Sequence, residues 1–329
     1  MPAISVLVPA TRPQYLGQAL ASVLAQSFGD YECLISDNSA DGGLEPLIRS
    51  FGDSRFRYLR TGGLSMSENF SFLWNAASGG YLKFLFDDDF LFPFCLDALL
   101  AALEQHPDAS FSFAHRYVVN SRGQPTRTPA LIKRGRKIKL TGAELLPPQV
   151  RRIENLIGEP SNVLLRRSAF RGPKCMTRYG SYKLRFLMDF SLYVHGLQHG
   201  PCVGLGEFHS AFRVHDQQGS DSAFNPAYAS ALFEWDLILR GEYARGRIAA
   251  EPLLVGLRRL SALYAHHAPQ HPELEPFMGL LPKFASCVEA GERNVLDDVF
   301  HSAWSAADAV IDARLAERRT VSQSAPRLD

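Results

Sequence analysis

The stretch that most constrains this chain is Phe84-Leu85-Phe86-Asp87-Asp88-Asp89-Phe90, an aromatic apolar run that ends in three consecutive carboxylates. Residues 81–86 have the length and aromatic content of a buried strand, and Gly79-Gly80 supplies the turn before it. Ionised carboxylates resist leaving water unless a cation pairs with them. Three acids at a strand end are therefore either solvated turn and cap residues or the seat of a divalent cation carrying phosphate oxygens. The crowding of charge favours the second reading.

The segments before the acids predict an open parallel sheet. Residues 4–9 are a β-branched strand closed by Pro9, and Tyr15, Leu16, Ala19, Leu20, Val23 and Leu24 recur at helical spacing. Residues 31–36 form a second strand ending in the polar loop Asp37-Asn38-Ser39, completing a βαβ unit. Such sheets bind ligands beyond the carboxyl ends of their strands, where Asp37 and the Asp87 cluster would both sit. Residues 56–60 read as an edge strand. Ser67-Glu68-Asn69 opens a helix capped by Ser67 that leads into the acidic strand. Neither Gly-x-Gly-x-x-Gly nor Gly-x-x-x-x-Gly-Lys-Ser/Thr is present, which disfavours a dehydrogenase and a P-loop kinase or ATPase.

Further on, residues 121–141 are rich in Gly, Pro and basic residues, with Lys133, Arg134, Arg136, Lys137 and Lys139 in seven positions. This is a surface loop or flap, either simply solvated or facing phosphates, an anionic acceptor or an acidic membrane surface. Asp189 opens an apolar helix, where it also suits the helix dipole. Beyond Asn225-Pro226 the apolar residues recur with helical period, and the end of the chain, from Arg318, is polar and expected to fray.

Lys83 to Asp89 with Pro93 behind, the helix Leu16 to Ser27, Asp37-Asn38-Ser39, Asp189 and Arg213-x-His215 resemble, in order, the motifs of family 2 nucleotide-sugar glycosyltransferases. The resemblance covers roughly residues 3–220. It departs after Pro9, where this chain has Ala10-Thr11-Arg12 and family members usually carry Thr followed by Tyr-Asn or Phe-Asn. It implies an α/β fold of the glycosyltransferase A type, a mostly parallel open sheet flanked by helices. The nucleotide half would occupy about 1–115 and the acceptor half 116–220, followed by a helical extension over 221–318 and a flexible tail, 319–329. It also implies inverting, metal-dependent transfer of a sugar from a UDP, dTDP or GDP donor to a carbohydrate, lipid-linked or small-molecule acceptor. Carried over residue by residue, Asp37 would bond the base, and Pro9 and Thr11 would line its pocket. Asn69, Asp87 and Arg213 would touch the nucleotide sugar. Asp88 and Asp89 would hold Mg²⁺ or Mn²⁺, with His215 as a further ligand or as a donor to the diphosphate, and Asp189 would be the catalytic base. Asp37 could equally close an Asx turn, and Asn69 could be a mere helix-start residue.

Composition narrows the alternatives. The 329 residues carry a formal charge of +1, which gives no global attraction to nucleic acid. Five scattered cysteines with no Cys-x-x-Cys suggest reduced thiols and a cytoplasmic protein. No leader pattern and no apolar run of about 18 residues is present. Contact with the membrane's inner face and self-association stay open. Two rivals remain: another nucleotide-activated transferase on this fold, and a binding or scaffold protein derived from it.

Overall fold

The computed structural model describes residues 1–216, 218, 225 and 227–324, with side chains as far as 317. In chain order the elements are β1 (Ile4–Ala10), α1 (Leu16–Leu24), β2 (Tyr31–Asp37), α2 (Glu45–Ser50), β3 (Phe56–Arg60), α3 (Met66–Ala76), β4 (Tyr81–Phe84), β5 (Phe90–Leu91), α4 (Cys95–Glu104), β6 (Phe111–Val119), β7 (Pro125–Arg127), β8 (Lys137–Leu140) and α5 (Gly142–Arg152). There follow β9 (Val163–Arg166), α6 (Lys174–Thr177), β10 (Arg178–Tyr179), β11 (Tyr182–Lys183), α7 (Met188–Leu197), β12 (Cys202–Arg213), α8 (Ser230–Ala244), α9 (Ala250–His267), α10 (Glu275–Met278), α11 (Leu280–Glu289) and α12 (Asp298–Ser324).

Two compact units emerge. The first comprises Met1–Gly142, Leu156–Arg178 and Asp189–His215. Its main sheet runs β3-β2-β1-β4-β9-β6-β12-β5, with β7 added to β6 and β8 to β12. The first four strands are parallel, β9 is antiparallel to β4 and β6, and β12 is again parallel to β6. β1 and β2 are buried along nearly their whole length because helices cover both faces. On one face Leu16, Leu20 and Val23 of α1 and Leu96, Leu99 and Leu103 of α4 pack on Val6, Val8 and Ile35. On the other, Phe70 of α3 meets Phe84 edge-on at 5.5 Å.

Helix α3 corrects one reading. Its N-cap is Ser65, not Ser67: the Ser65 hydroxyl accepts from the Glu68 amide while the Glu68 carboxylate accepts from the Ser65 amide. Ser65-Met66-Ser67-Glu68 is thus a complete capping box, two residues earlier than the expected cap.

The entry to β4 is held by a buried carboxylate. Glu32 accepts from the Ser5 hydroxyl and from both the amide and hydroxyl of Ser78, each at 2.7 Å, and the Gly79 amide donates to Ser5 Oγ. Burial opposes ionisation of Glu32, but these donors and Arg57 hold its carboxyl below the usual range. A Cβ on Gly79 would lie 2.7 Å from the Ser5 amide nitrogen.

The basic segment is not a bare loop, since β7 pairs with β6 and β8 with β12. Between them Ile132 is buried, and His115 Nε2 accepts from the amides of Leu131 (3.1 Å) and Ile132 (2.9 Å). Accepting two N–H groups requires a neutral ring. Burial lowers the His115 pKa, against a smaller upward pull from Glu207.

The second unit comprises Ala143–Asn155, Tyr179–Met188 and Asp216–Asp329. Helices α8 to α12 supply most of it, but α5 and the β10–β11 hairpin residues join it, so it is assembled from three chain segments where the sequence suggested one. α8 is buried on all sides, and its Asp236–Arg240 ion pair (2.8 Å) lies wholly inside. Helix α12 extends through Ser324 where a frayed tail was expected, while Pro226 and 325–329 lie outside the described residues. No helix among the described residues is long and apolar enough to cross a membrane.

Two measurements check these contacts. Gly79→Ala should lower stability by about 1–3 kcal/mol in urea titration, because backbone cannot yield to the new methyl group. For His115 the unfolded ring binds protons more readily than the folded one, so its contribution is complete above about pH 6.5 and is lost as pH falls below it. Wild type should therefore lose more stability than His115→Gln between neutral and mildly acid pH.

Candidate active site

The acids at the end of β4 separate into three environments. Asp87 turns back to the loop after β1, where its Oδ2 accepts from the Thr11 amide (2.8 Å), the Arg12 amide (3.2 Å) and the Thr11 hydroxyl (3.3 Å). Burial, and the charge of Asp88 beside it, raise its pKa to about 6 against those hydrogen bonds. Asp89 is packed into the interior: it is 1% exposed, and its Oδ1 accepts from the Arg213 amide at 3.0 Å. Burial and the neighbouring Asp88 push its pKa well up. Asp88, between them, keeps a partly exposed side chain whose Oδ2 lies 3.0 Å from His215 Nε2.

Arg213, the last residue of β12, sets this arrangement. Its Nε donates to the Asp88 carbonyl (2.9 Å), Nη1 to the carbonyls of Asn120 (3.3 Å) and Ser121 (3.1 Å), and Nη2 to Gln18 Oε1 (2.5 Å). The guanidinium lies over the Tyr15 ring at 4.3 Å, and the same ring packs on His215 at 5.4 Å. Arg213 is 2% exposed and directs its donors at the protein itself. Beneath the acids the buried Lys83 ammonium donates to the Pro160 and Ser161 carbonyls, and burial lowers its pKa to about 8. The Ser161 hydroxyl in turn accepts from the Phe86 amide (3.2 Å).

At the other end of the expected site, β1 and β2 terminate together, with Pro9 opposite Ser36 and Ala10 opposite Asp37. Asp37 forms an Asx turn, its Oδ1 accepting from the Ser39 amide (3.0 Å), while Oδ2 accepts from the Tyr58 hydroxyl (3.1 Å). Thr11 is exposed. Asn69, in the first turn of α3, is 2% exposed and its amide oxygen has no protein partner. Such an atom is costly to bury and invites a donor from a ligand or water.

Asp189 opens α7, with Oδ1 accepting from the Phe190 amide at 2.7 Å. One turn on, the Tyr193 hydroxyl donates to the Gly158 carbonyl (2.9 Å); burial, and then the charges of Asp189 and Glu159, raise its pKa well above the ordinary value. Glu159 is ion-paired with Arg116, and its charge also reaches Asp89. Neither Arg116 nor Tyr193 was singled out as a site residue in the sequence. The available signals were the Glu-Pro that opens the acceptor-side strand and an aromatic one helical turn after Asp189.

Of the three expected metal ligands, the structure brings Asp88 and His215 together and packs Asp89 inward. Among the described residues no group of three or more His, Cys, Asp or Glu is placed to hold a metal ion. One carboxylate oxygen and one imidazole nitrogen nevertheless suit Mn²⁺ or Mg²⁺ when phosphate oxygens and water complete the shell.

The sequence profile described as glycosyl transferase family 2 matches residues 5–172, just over half of the chain. The chain belongs to glycosyl transferase family 2. Family membership sets aside one of the two rival readings, another type of nucleotide-activated transferase. Uncharacterized protein y4gI of Sinorhizobium fredii is 33% identical over 118 residues, a match spanning 34% of this chain and 13% of that protein. Among solved structures, S. aureus TarS 1-349 in complex with UDP covers 96% of this chain and 91% of its own, at a TM-score of 0.62 and 13% identity. The complex of TarS 1-349 with UDP-GlcNAc gives 0.62 and 14% with similar coverage. At such identities the likeness establishes the fold, a glycosyltransferase A-type sheet with a C-terminal helical region.

Substitution should separate the adjacent acids. Asp88→Asn should abolish Mn²⁺-dependent UDP binding, read by calorimetry, with little change in melting temperature. Asp89→Ala leaves the buried Arg213 amide without its acceptor and should destabilise by about 1–3 kcal/mol.

Proposed function

We propose that this glycosyltransferase moves a sugar from a nucleoside diphosphate donor to an acceptor hydroxyl with inversion, in a divalent-metal-dependent reaction. The observation that carries the reading is the Asp88–His215 pair, fixed by Arg213 beyond the ends of the sheet strands. That is where an α/β sheet offers a ligand its site. The UDP and UDP-GlcNAc in the TarS complexes make UDP-sugars the first donors to test, ahead of dTDP and GDP types.

In this reading Pro9, Thr11 and Asp37 receive the base. Asn69, with its unpartnered amide oxygen, meets a ribose hydroxyl. Asp87 and Arg213 act through the loops they hold, because their hydrogen-bonding groups are directed at protein atoms. Asp88 and His215 hold Mg²⁺ or Mn²⁺, which when bound supplies charge neutralisation for the departing diphosphate. Asp89 braces Arg213 from within. Asp189 takes the proton from the acceptor hydroxyl as that oxygen attacks the anomeric carbon on the face opposite the diphosphate. Arg116, Glu159 and Tyr193 keep the surroundings of Asp189 polar and ordered. No covalent intermediate with the protein is required.

The test is Asp189→Asn. Asn preserves the shape and the acceptor for the Phe190 amide but cannot remove a proton. Nucleotide and Mn²⁺ affinity should stay within about twofold of wild type, while turnover, read as UDP release from UDP-GlcNAc, falls by about 10²–10⁴-fold. Turnover within a few-fold of wild type would remove Asp189 from the base's role and direct attention to Glu159.

A further inference from the structure

We propose that the basic segment between β6 and β8 is a docking surface for a polyanionic, phosphate-bearing acceptor, an assignment that rests on the sugar-transfer reading above. Arg122, Arg127, Lys133, Arg134, Arg136, Lys137 and Lys139 fall within residues 121–140, which contain no acid, in a chain whose net charge is +1. All seven are exposed. Lys139 pairs with Asp108 and Lys137 bonds Gln105, but no carboxylate among the described residues pairs with the other five.

A merely solvated basic loop has no reason to be fastened, since holding like charges together costs free energy. This one is fastened throughout its length. The Thr126 hydroxyl donates to the Val118 carbonyl, Ile132 is buried under the two amides that His115 accepts, and the Gly206 amide donates to the Arg136 carbonyl. Gly206 permits the approach, because a Cβ there would lie 2.2 Å from the Lys133 carbonyl oxygen. The backbone that carries the cations is thus held in place. Arginine forks suit phosphate oxygens in pairs, and a held backbone loses less conformational entropy on binding than a mobile one.

The segment also leads to the candidate site. Its entrance, at Asn120 and Ser121, accepts two hydrogen bonds from the same Arg213 guanidinium that holds the Asp88 carbonyl. A chain of phosphates lying on the segment would present its end there. A lipid surface fits less well: Ile138, at 37%, is the one large apolar side chain exposed within the segment, so no apolar wedge is available to enter a bilayer.

The test uses the full chain and fluorescently labelled inorganic polyphosphate. Anisotropy should show binding by wild type, and the triple variant Lys133→Gln/Arg134→Gln/Arg136→Gln should bind about tenfold or more weakly at about 50 mM salt. By counterion release, the slope of log affinity against log salt should shrink by about three. UDP release from UDP-GlcNAc, measured on the same preparations, should remain within about twofold, because the three residues lie outside the donor site. That second readout reports on the sugar-transfer reading itself, so its failure is distinguishable from failure of the docking surface. Equal polyphosphate binding by variant and wild type, or none by wild type, would overturn the proposal. So would binding to phosphatidylglycerol-containing vesicles as tight as to polyphosphate, which would make the segment a membrane contact.

Discussion

The buried Arg213 is the interaction on which the site depends. A guanidinium is costly to bury unless its donors are satisfied, and here they are directed at two loop carbonyls from the β6 end, the carbonyl of Asp88 and the side chain of Gln18 in α1. One side chain therefore ties the end of β12 to the acidic turn, to the first helix and to the mouth of the basic segment. Its own amide is held by Asp89. The rings of Tyr15 and Phe90 lie against the guanidinium, adding cation–π attraction in a desolvated place. Its Nε thereby anchors the backbone of Asp88, whose side chain faces His215.

The same geometry explains how much of the site was legible. Three acids after an aromatic strand announce a charged turn, and the helical and strand periods place that turn at the end of a parallel sheet. What periodicity cannot convey is which way each acid points. Successive residues in a tight turn diverge, so Asp87 reaches the β1 loop, Asp88 the solvent side and Asp89 the interior, and each direction depends on partners 76 to 127 residues away in sequence. Thr11, Arg213 and His215 were each picked out, but as ligand contacts. That two of them serve as internal partners for the acids is a matter of tertiary packing, with no local signal.

The helical region shows the same division. Its apolar stripes were readable, whereas its extent was not, because α5 and the hairpin 179–183 join it from the middle of the chain. The joints are polar. Glu234, at the start of α8, accepts from the amides of Arg185, Phe186 and Leu187, and Glu242 accepts from the Tyr179 hydroxyl at 2.7 Å. Neither glutamate stands out in sequence, since buried acids on a helix look like exposed ones until their partners are known. Burial raises the pKa of both, Glu234 to about 7, against the hydrogen bonds that favour their charge. These joints are therefore specific but not cheap, as is usual for buried polar contacts whose function is register.

Lys83 completes the electrostatic picture. Asp89 and Lys83 are both fully buried, and the charge of Asp89 draws the lysine pKa upward while desolvation draws it down to about 8. The ammonium also bonds the carbonyls of the Pro160–Asn162 turn, whose N-cap residue is Glu159. The ammonium beneath the acidic turn thus fixes the turn that carries the Arg116–Glu159 pair. Loss of that ammonium would free the turn. Asp88 is therefore the one of the three acids left partly exposed, because Asp87 is occupied by the β1 loop and Asp89 is packed inward, where burial disfavours its charge. A cluster of three carboxylates therefore turns a single oriented one outward, beside His215.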